Sequence, residues 1–330
     1  MFNNLINVHD LSRILTKAKQ GQLNQICLKL ISGMLKKVKT SWEHVQNPPI
    51  HWWDIPAVRK RWNDLISGDA NVDYPEYIAR TYLACRESLY GLSLGCGTGE
   101  RVLRWVGLGK FKRMDAYDLS EVRIEYAINE AKEKGFGDLI NYRVADVYGI
   151  DVRESFYDVI IAEGALHHFS PLNEILLKIK HFLKPDGYLI VNEFVGPTRF
   201  QCTDRQLEVI NGLLSILPVK YRITWSNHSI KSNVFRPSRL SMILSDPSEA
   251  VESSNILPLL DQLFEVIEVK EYGRTLLQLL FYDIAHHFLS EDEETQRFLR
   301  LCFEVEDVLL ESNDIQSDFA MVVCKKRIRE

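Results

Sequence analysis

Short apolar runs alternate with helical stretches through the middle of the chain. The runs are six to eight residues long and predict strands at 89–94, 111–118, 141–146, 157–164 and 188–194. Single helices separate consecutive strands, and this order favours parallel pairing through right-handed crossovers. The pattern therefore predicts a doubly wound α/β sheet. Such sheets bind their ligands beyond the carboxyl ends of the strands.

The flanking regions follow a different pattern. Residues 1–85 predict an N-terminal helical extension, and residues 86–195 the Rossmann-like core. Residues 196–330 predict helical insertions that form a lid, together with two late strands at 264–273 and 318–326. We expect these strands to be an antiparallel addition, which gives a seven-stranded, mostly parallel sheet.

The composition narrows the class of protein. The 330 residues carry a net charge of −5, which gives no reason to expect nucleic acid as a partner. No apolar run approaches the roughly 20 residues of a membrane span, and the N-terminus lacks the features of a secretory signal. The six cysteines are scattered without metal-ligand spacing, a pattern typical of reduced thiols. We therefore expect a cytoplasmic protein.

The first 40 residues carry an excess of positive charge. Seven Lys or Arg side chains stand against one acid, Asp10, and apolar residues recur at near-helical spacing. Two interpretations fit this segment. It is either an ordinary amphipathic helix packed on the body, which we favour, or a helix that lies on an anionic membrane surface or partner.

The segment LSLGCGTGE (92–100) ends the first predicted strand with glycines at alternate positions. A P-loop would need Lys followed by Ser or Thr after the glycines, and neither is present. A dinucleotide turn would need a small residue where this chain has Glu100, whose carboxylate would compete with a pyrophosphate for the amides of the helix start. A nicotinamide-dependent oxidoreductase is therefore disfavoured. A phosphate-free, positively charged cofactor, S-adenosylmethionine, fits better.

LSLGCGTGE resembles the first motif of the class I S-adenosylmethionine-dependent methyltransferases. The later strand ends follow in the order of that family, and LKPDGYLIV is similar to its lead into the fifth strand. The resemblance covers about residues 88–195 closely. It implies S-adenosylmethionine as the cofactor and methyl transfer as the activity.

The resemblance also implies which residues contact the cofactor. Asp118 would accept hydrogen bonds from both ribose hydroxyls, because each of its oxygens can accept one. Asp146 would bind the adenine amino group, with Val147 beside the ring. The full set is Gly95, Cys96, Gly97, Gly99, Asp118, Leu119, Asp146, Val147 and Glu163.

Ser93 departs from the pattern of the family. An acidic residue usually stands two positions before the first glycine, where it helps to hold the methionyl end of the cofactor, and here that residue is Ser93. Glu100 either compensates in part or faces solvent. We expect the methionyl contacts to be the point at which this chain differs most from its relatives.

The segment EGALHH, after the fourth strand, falls where the family lines its active site. His167 is the candidate base, because its unperturbed pKa is near neutrality; the alternative is a wall of the cofactor pocket. Only one of two adjacent helical histidines should face inward, and His168 is the weaker candidate. Glu163 and Glu193 end neighbouring strands and complete the predicted catalytic set. Their alternative is a polar rim or a pair with Arg199.

These features predict methyl transfer to an oxygen or nitrogen of a small polar or natural-product-like acceptor beneath the lid. A peptide or lipid-borne acceptor, or a non-catalytic S-adenosylmethionine-binding protein, are the alternatives. No metal site is predicted, since HExxH is absent and His286 and His287 are adjacent on a helix. Five aromatic residues before the glycines either roof the site or pack in the core: Trp52, Trp53, Trp62, Tyr74 and Tyr77.

Overall fold

The computed structural model describes residues 50–327. The predicted basic N-terminal helix therefore lies outside the described residues. Within the described residues, no helix combines the length and hydropathy that crossing a membrane requires.

A single seven-stranded sheet runs through the described part of the chain, in the order β3-β2-β1-β4-β5-β7-β6. Strands β1 to β5 pair in parallel, whereas β7 pairs antiparallel with both β5 and β6, so that β6 runs with the first five. The predicted mostly parallel sheet with late antiparallel pairing is confirmed. The strands are β1 (Leu89–Leu94), β2 (Phe111–Asp118), β3 (Ile140–Val144), β4 (Tyr157–Glu163), β5 (Leu183–Phe194), β6 (Phe264–Glu271) and β7 (Phe319–Lys326).

Helices cover both faces of the sheet. The α-helices between residues 50 and 327 are α1 (Pro56–Ser67), α2 (Tyr74–Tyr82), α3 (Glu100–Gly107), α4 (Glu121–Glu133), α5 (Leu172–Phe182), α6 (Asp204–Ile216), α7 (Arg239–Ser245), α8 (Ile256–Leu263), α9 (Leu277–Phe281) and α10 (Glu293–Glu311). Helices α2, α3 and α4 share a core with one face of the sheet. Helices α5 and α8 share a core with the other face.

A third core joins the region before the glycines to the predicted lid. Buried Trp52, Ile55 and Val58 pack with apolar residues of α6, α9 and α10. The helical extension and the lid, predicted as separate regions, thus share a core in the described residues. This core lies beyond the carboxyl ends of the strands, since Trp52 contacts Phe319 at the start of β7, with ring centroids 6.3 Å apart.

Capping residues set where several helices begin. The Ser120 and Asp73 side chains accept hydrogen bonds from the backbone N–H groups of the first turns of α4 and α2. Pro171 is the N-cap of α5, and the helix begins at Leu172.

The buried carboxylate of Asp115, on β2, contacts side chains of strands on both sides of β1. It accepts hydrogen bonds from Asn141 at 2.7 Å and Tyr157 at 2.8 Å and pairs with Arg113 at 2.9 Å. These contacts join β2 to β3 and to the start of β4, and so they fix the half of the sheet that ends at the glycine turn.

We expect Asp115→Ala to lower the free energy of unfolding by about 3 kcal/mol, because it leaves buried donors without an acceptor. Urea unfolding followed by circular dichroism measures this loss. Asp138→Ala, at an exposed position, is the matched control and should leave stability unchanged. Equal stability of the two variants would contradict a structural role for Asp115.

Candidate active site

The glycine turn is a close contact between backbone segments. Gly95 has φ +68°, and a Cβ atom there would lie 2.7 Å from the Cβ of Ala165. Gly99 has φ +80°, and a Cβ atom there would lie 2.5 Å from the Tyr142 hydroxyl. Both positions therefore require glycine, for conformation and for space. The Gly95 contact brings the turn against the segment that carries the two histidines.

Asp118 closes the turn from the end of β2. Its Oδ2 accepts a hydrogen bond from the Gly97 N–H at 2.9 Å, and its Oδ1 accepts one from the Ser120 N–H at 2.8 Å. Each oxygen keeps a free lone pair, because a carboxylate offers about four acceptor sites. The half-buried carboxylate can therefore accept two further hydrogen bonds from a vicinal diol.

The predicted adenine contacts lie after β3. Asp146 is exposed and accepts a hydrogen bond from the Tyr148 N–H at 3.0 Å, while Val147 is buried. An exposed carboxylate beside a buried apolar side chain fits the edge and the face of an adenine ring. Together with the free acceptor capacity of Asp118, these residues fit S-adenosylmethionine.

Glu163 is held at the carboxyl end of β4 by α3. Its carboxylate lies 3.6 Å from Arg101 Nε and accepts a hydrogen bond from Trp105 Nε1 at 3.4 Å. The Arg101 guanidinium also donates to the Glu163 carbonyl oxygen. Glu163 is buried, whereas the Arg101 side chain is 52% exposed. The ion pair therefore presents a guanidinium to the space beside the glycine turn.

Glu193 is fully buried at the end of β5 and holds His167. Its Oε1 accepts hydrogen bonds from the backbone N–H groups of Ala165 and Leu166, and its Oε2 lies 2.6 Å from His167 Nδ1. These contacts orient the imidazole and leave Nε2 as its outward nitrogen. The two predicted catalytic carboxylates thus do different things: Glu193 binds His167, and Glu163 binds Arg101.

Glu249, from the lid segment before α8, faces both histidines. Its Oε1 lies 3.5 Å from His167 Nε2, and its Oε2 lies 4.0 Å from His168 Nε2. The prediction that only one histidine faces inward is wrong, because the pair lies in a 3-10 turn with ring centroids 4.1 Å apart. The predicted alternative of a pair with Arg199 is also not seen, since Arg199 donates to the backbone carbonyl of Glu249.

The charges of this cluster are strongly coupled. Burial alone would lower the pKa of His167, but Glu193 and Glu249 outweigh it and raise that pKa to about 10. Burial would raise the pKa of Glu249, but His168, His167 and Arg199 lower it to about 2. Burial and the charge of His167 lower the pKa of His168. With Glu249 in contact, His167 is therefore an imidazolium.

Sequence reasoning missed Glu249 and, with it, a possible metal-ligand set. The ligand atoms of His167, His168 and Glu249 all lie within 4.8 Å of one another. Glu249 follows the histidines by some 80 residues in the chain, and no spacing rule links them. The predicted absence of a metal site stays a prediction.

The five aromatic residues singled out before the glycines differ in their surroundings: three pack against other side chains, one is exposed and one binds a carboxylate. Trp52 and Trp62 pack around Arg274, while Tyr74 packs edge-on against Trp105. Trp53 is exposed and stacks on His51, and Tyr77 donates a hydrogen bond to Glu268.

Comparison with known proteins agrees with this geometry. Residues 92–191 match the sequence profile of a methyltransferase domain. Residues 92–191 are thus a methyltransferase domain. That domain indicates S-adenosylmethionine as the cofactor, and its matched region runs from the middle of β1 to the middle of β5.

Individual relatives resemble parts of the chain. Tenellin synthetase of Beauveria bassiana is 30% identical over 118 residues, which are 34% of this chain and 3% of that protein. The malonyl-[acyl-carrier protein] O-methyltransferase of Bacillus cytotoxicus is 29% identical over 159 residues, 46% of this chain and 54% of that protein. The chain thus spans about half of the second relative and a small part of the first.

Two solved structures resemble the chain at low sequence identity. The geranyl diphosphate C-methyltransferase of Streptomyces coelicolor is 11% identical, with a TM-score of 0.49 over 90% of this chain and 99% of that chain. The [4+2]-cyclase SpnF is 14% identical, with a TM-score of 0.47 over 86% of this chain and 100% of that chain.

We expect Glu249→Gln to lower the pKa of His167 in the methyltransferase domain, because a neutral amide no longer favours the imidazolium. NMR titration of the His167 Cε1–H signal measures this shift. Glu193→Gln should lower the pKa further, since burial then dominates. Glu174→Gln, at an exposed position on α5, is the control. An unchanged titration of His167 in Glu249→Gln would contradict the coupling.

The same coupling predicts a pH dependence of stability. Because the folded pKa of His167 is raised from 6.5 to about 10, its contribution is fully present below pH 6.5 and is lost as the pH rises through about 10. The stability difference between the wild type and His167→Gln should fall across this window. Thermal unfolding at several pH values measures it, and a difference that grows with pH would contradict the assignment.

Proposed function

We propose that this chain transfers a methyl group from S-adenosylmethionine to an oxygen or nitrogen of a small, natural-product-like acceptor. The observation that carries the proposal is the 2.6 Å contact between Glu193 and His167 beside the glycine turn of a methyltransferase domain. When bound, the cofactor supplies a methyl group that its sulfonium already activates. The protein then has to align the acceptor, exclude water and remove a proton.

His167 is the proposed base. Glu193 fixes Nδ1, which directs Nε2 toward the acceptor, in the direction that Glu249 occupies at 3.5 Å. An acceptor hydroxyl that takes the place of Glu249 removes one of the carboxylates that raise the pKa of His167. The imidazole can then release its proton and accept that of the hydroxyl. A base is needed for a hydroxyl but not for an amine that is already neutral, so the dyad favours an oxygen acceptor.

The names of the relatives support an acyl-type acceptor. They include highly reducing polyketide synthases and an O-methyltransferase of malonyl-acyl carrier protein. An acidic carbon of an acyl chain is therefore a second candidate for the methylated atom. The buried dyad favours it for the same reason as a hydroxyl, since a carbon acid must also lose a proton. The position of the new methyl group in the product, determined by NMR, separates the two.

The proposal includes a reduced, cytoplasmic environment. Five cysteines among residues 50–327 are free thiols. Cys85 is exposed, and the other four are buried: Cys96, Cys202, Cys302 and Cys324. This cysteine usage is compatible with a reducing compartment.

Arg101 and Glu163 are the proposed contacts of the methionyl end of the cofactor. That end carries one carboxylate and one ammonium group, and the ion pair offers one partner for each. Ser93 stands where relatives have an acid and is itself buried at the end of β1. Glu163, on the neighbouring strand, would then supply the missing negative charge, and Arg101 would bind the carboxylate.

We expect Arg101→Gln to weaken the binding of S-adenosylhomocysteine by about tenfold, because it removes a charge-assisted hydrogen bond. The variant should bind S-adenosylhomocysteine and its decarboxylated analogue with equal affinity. Calorimetry with both compounds measures this. Arg104→Gln is the matched control, since Arg104 lies one helical turn after Arg101 and binds Asp73. Retained discrimination between the compounds in Arg101→Gln would refute this contact.

We expect His167→Gln to lower kcat by at least about 100-fold, the usual contribution of a general base, with the affinity for S-adenosylhomocysteine unchanged. The assay is methylation of acceptors found in a screen of hydroxylated and acyl compounds. His181→Gln, a substitution of an exposed histidine near the end of α5, is the control. Full activity of His167→Gln would exclude a proton-transfer role.

A further inference from the structure

Arg274, just after β6, lies inside a cage of aromatic rings. Its guanidinium carbon is 3.6 Å from the ring centroid of Phe319, 4.1 Å from Trp52 and 4.3 Å from Trp62. Tyr272 forms a more distant wall at 5.8 Å, and its hydroxyl accepts a hydrogen bond from Arg274 Nη1 at 3.4 Å. The rings stabilise the cation through their faces but do not neutralise it.

Among the described residues, no ion pair joins the caged guanidinium to a carboxylate, although Glu306 is near enough to raise its pKa. Two buried donors have no hydrogen-bond acceptor in this part of the chain: Arg274 Nε and Trp62 Nε1. The buried guanidinium of Arg61, by contrast, forms ion pairs with Glu306 at 3.3 Å and with Asp307. A buried cation that forms no ion pair is costly. Burial outweighs the effects of Tyr272 and Glu306 and lowers the pKa of Arg274 to about 10.

The cage borders the candidate active site. The Tyr272 hydroxyl donates to Asn192 Oδ1 at 2.5 Å, and the Asn192 carbonyl accepts from Gly164 N–H at 2.9 Å, next to the histidine segment. A row of aromatic contacts also leads from the cage to the base: Phe319 to Phe194 at 5.3 Å, and Phe194 to His167 at 6.4 Å. Arg101 adds a second positive charge, close enough to lower the pKa of Arg274.

We propose that Arg274 and Trp62 bind an anionic group, a carboxylate or a phosphate, of the methyl acceptor. Such a group would accept hydrogen bonds from the two unpaired N–H donors and neutralise the guanidinium, while the rings pack against the apolar part of the acceptor. The inference rests on the proposed function only in assigning the anion to the acceptor. The chemical class of the acceptor thereby narrows to anionic small molecules.

A purely structural arginine makes a different prediction. A guanidinium that only fills the aromatic core would respond to no anion, and its replacement would change stability alone. The two roles are therefore separated by anion binding, which can be measured without knowing the acceptor.

The experiment uses the full chain saturated with S-adenosylhomocysteine. It is titrated with malonate, with inorganic phosphate and with neutral malonamide at constant ionic strength, and tryptophan fluorescence and Tm are recorded. We expect a saturable change with malonate or phosphate and none with malonamide, because Trp52 and Trp62 contact the guanidinium. The relative affinity for malonate and phosphate tells a carboxylate site from a phosphate site.

Variants assign the response to the cage. Arg274→Met should weaken anion binding by at least about tenfold, the effect of losing one charge-assisted contact, while Arg297→Met should not, since Arg297 lies on the surface of α10 beside Glu293. Trp62→Phe removes only the second donor and should cause a smaller loss. Should Arg274→Met fail to fold, Arg274→Lys, which keeps the charge but loses the planar stacking, takes its place with the same expected weakening.

The outcomes are distinct. A lack of any saturable anion response in the loaded wild type, or an equal response in Arg274→Met or Arg274→Lys, overturns the inference. Anion binding by a chain that fails to bind S-adenosylhomocysteine would keep the anion site and overturn the proposed function.

Discussion

The buried carboxylate of Glu193 is the constraint on which the candidate site depends. A carboxylate that is 1% exposed is stable only if its oxygens are hydrogen-bonded or paired. Glu193 meets this requirement with the backbone N–H groups of Ala165 and Leu166 and with His167 Nδ1. The contacts fix the segment after β4 against the end of β5, and they set the direction of the imidazole ring.

The segment that carries Glu249 is electrostatically part of the candidate site. The Val251 N–H donates to the His167 carbonyl at 3.1 Å, and the Arg199 N–H donates to the Ala250 carbonyl at 2.7 Å. These backbone bonds carry Glu249 to the histidines, where it shares in raising the pKa of His167. The protonation state of His167 therefore depends on the position of the segment that carries Glu249.

Local sequence patterns were sufficient to predict the first two strands of the sheet. The bounds of β1 and β2 match the predicted ones, because an apolar run followed by glycines or by Asp118 ends a strand whatever surrounds it. The cofactor contacts that the family resemblance implies remain predictions. Arg101 was passed over because its partner, Glu163, is brought to it only by the pairing of β1 with β4.

The sequence by itself determined the order of strands and helices, the glycine turn and the acids at the strand ends, because hydrophobic periodicity and backbone conformation are local properties. Only the tertiary structure decided the roles of the charged groups. Glu249 reaches His167 across the lid, both histidines face it, and Arg274 enters a cage formed by Trp52, Trp62 and Phe319. Desolvation and charge pairing depend on neighbours that are distant in the chain, and packing alone brings them together.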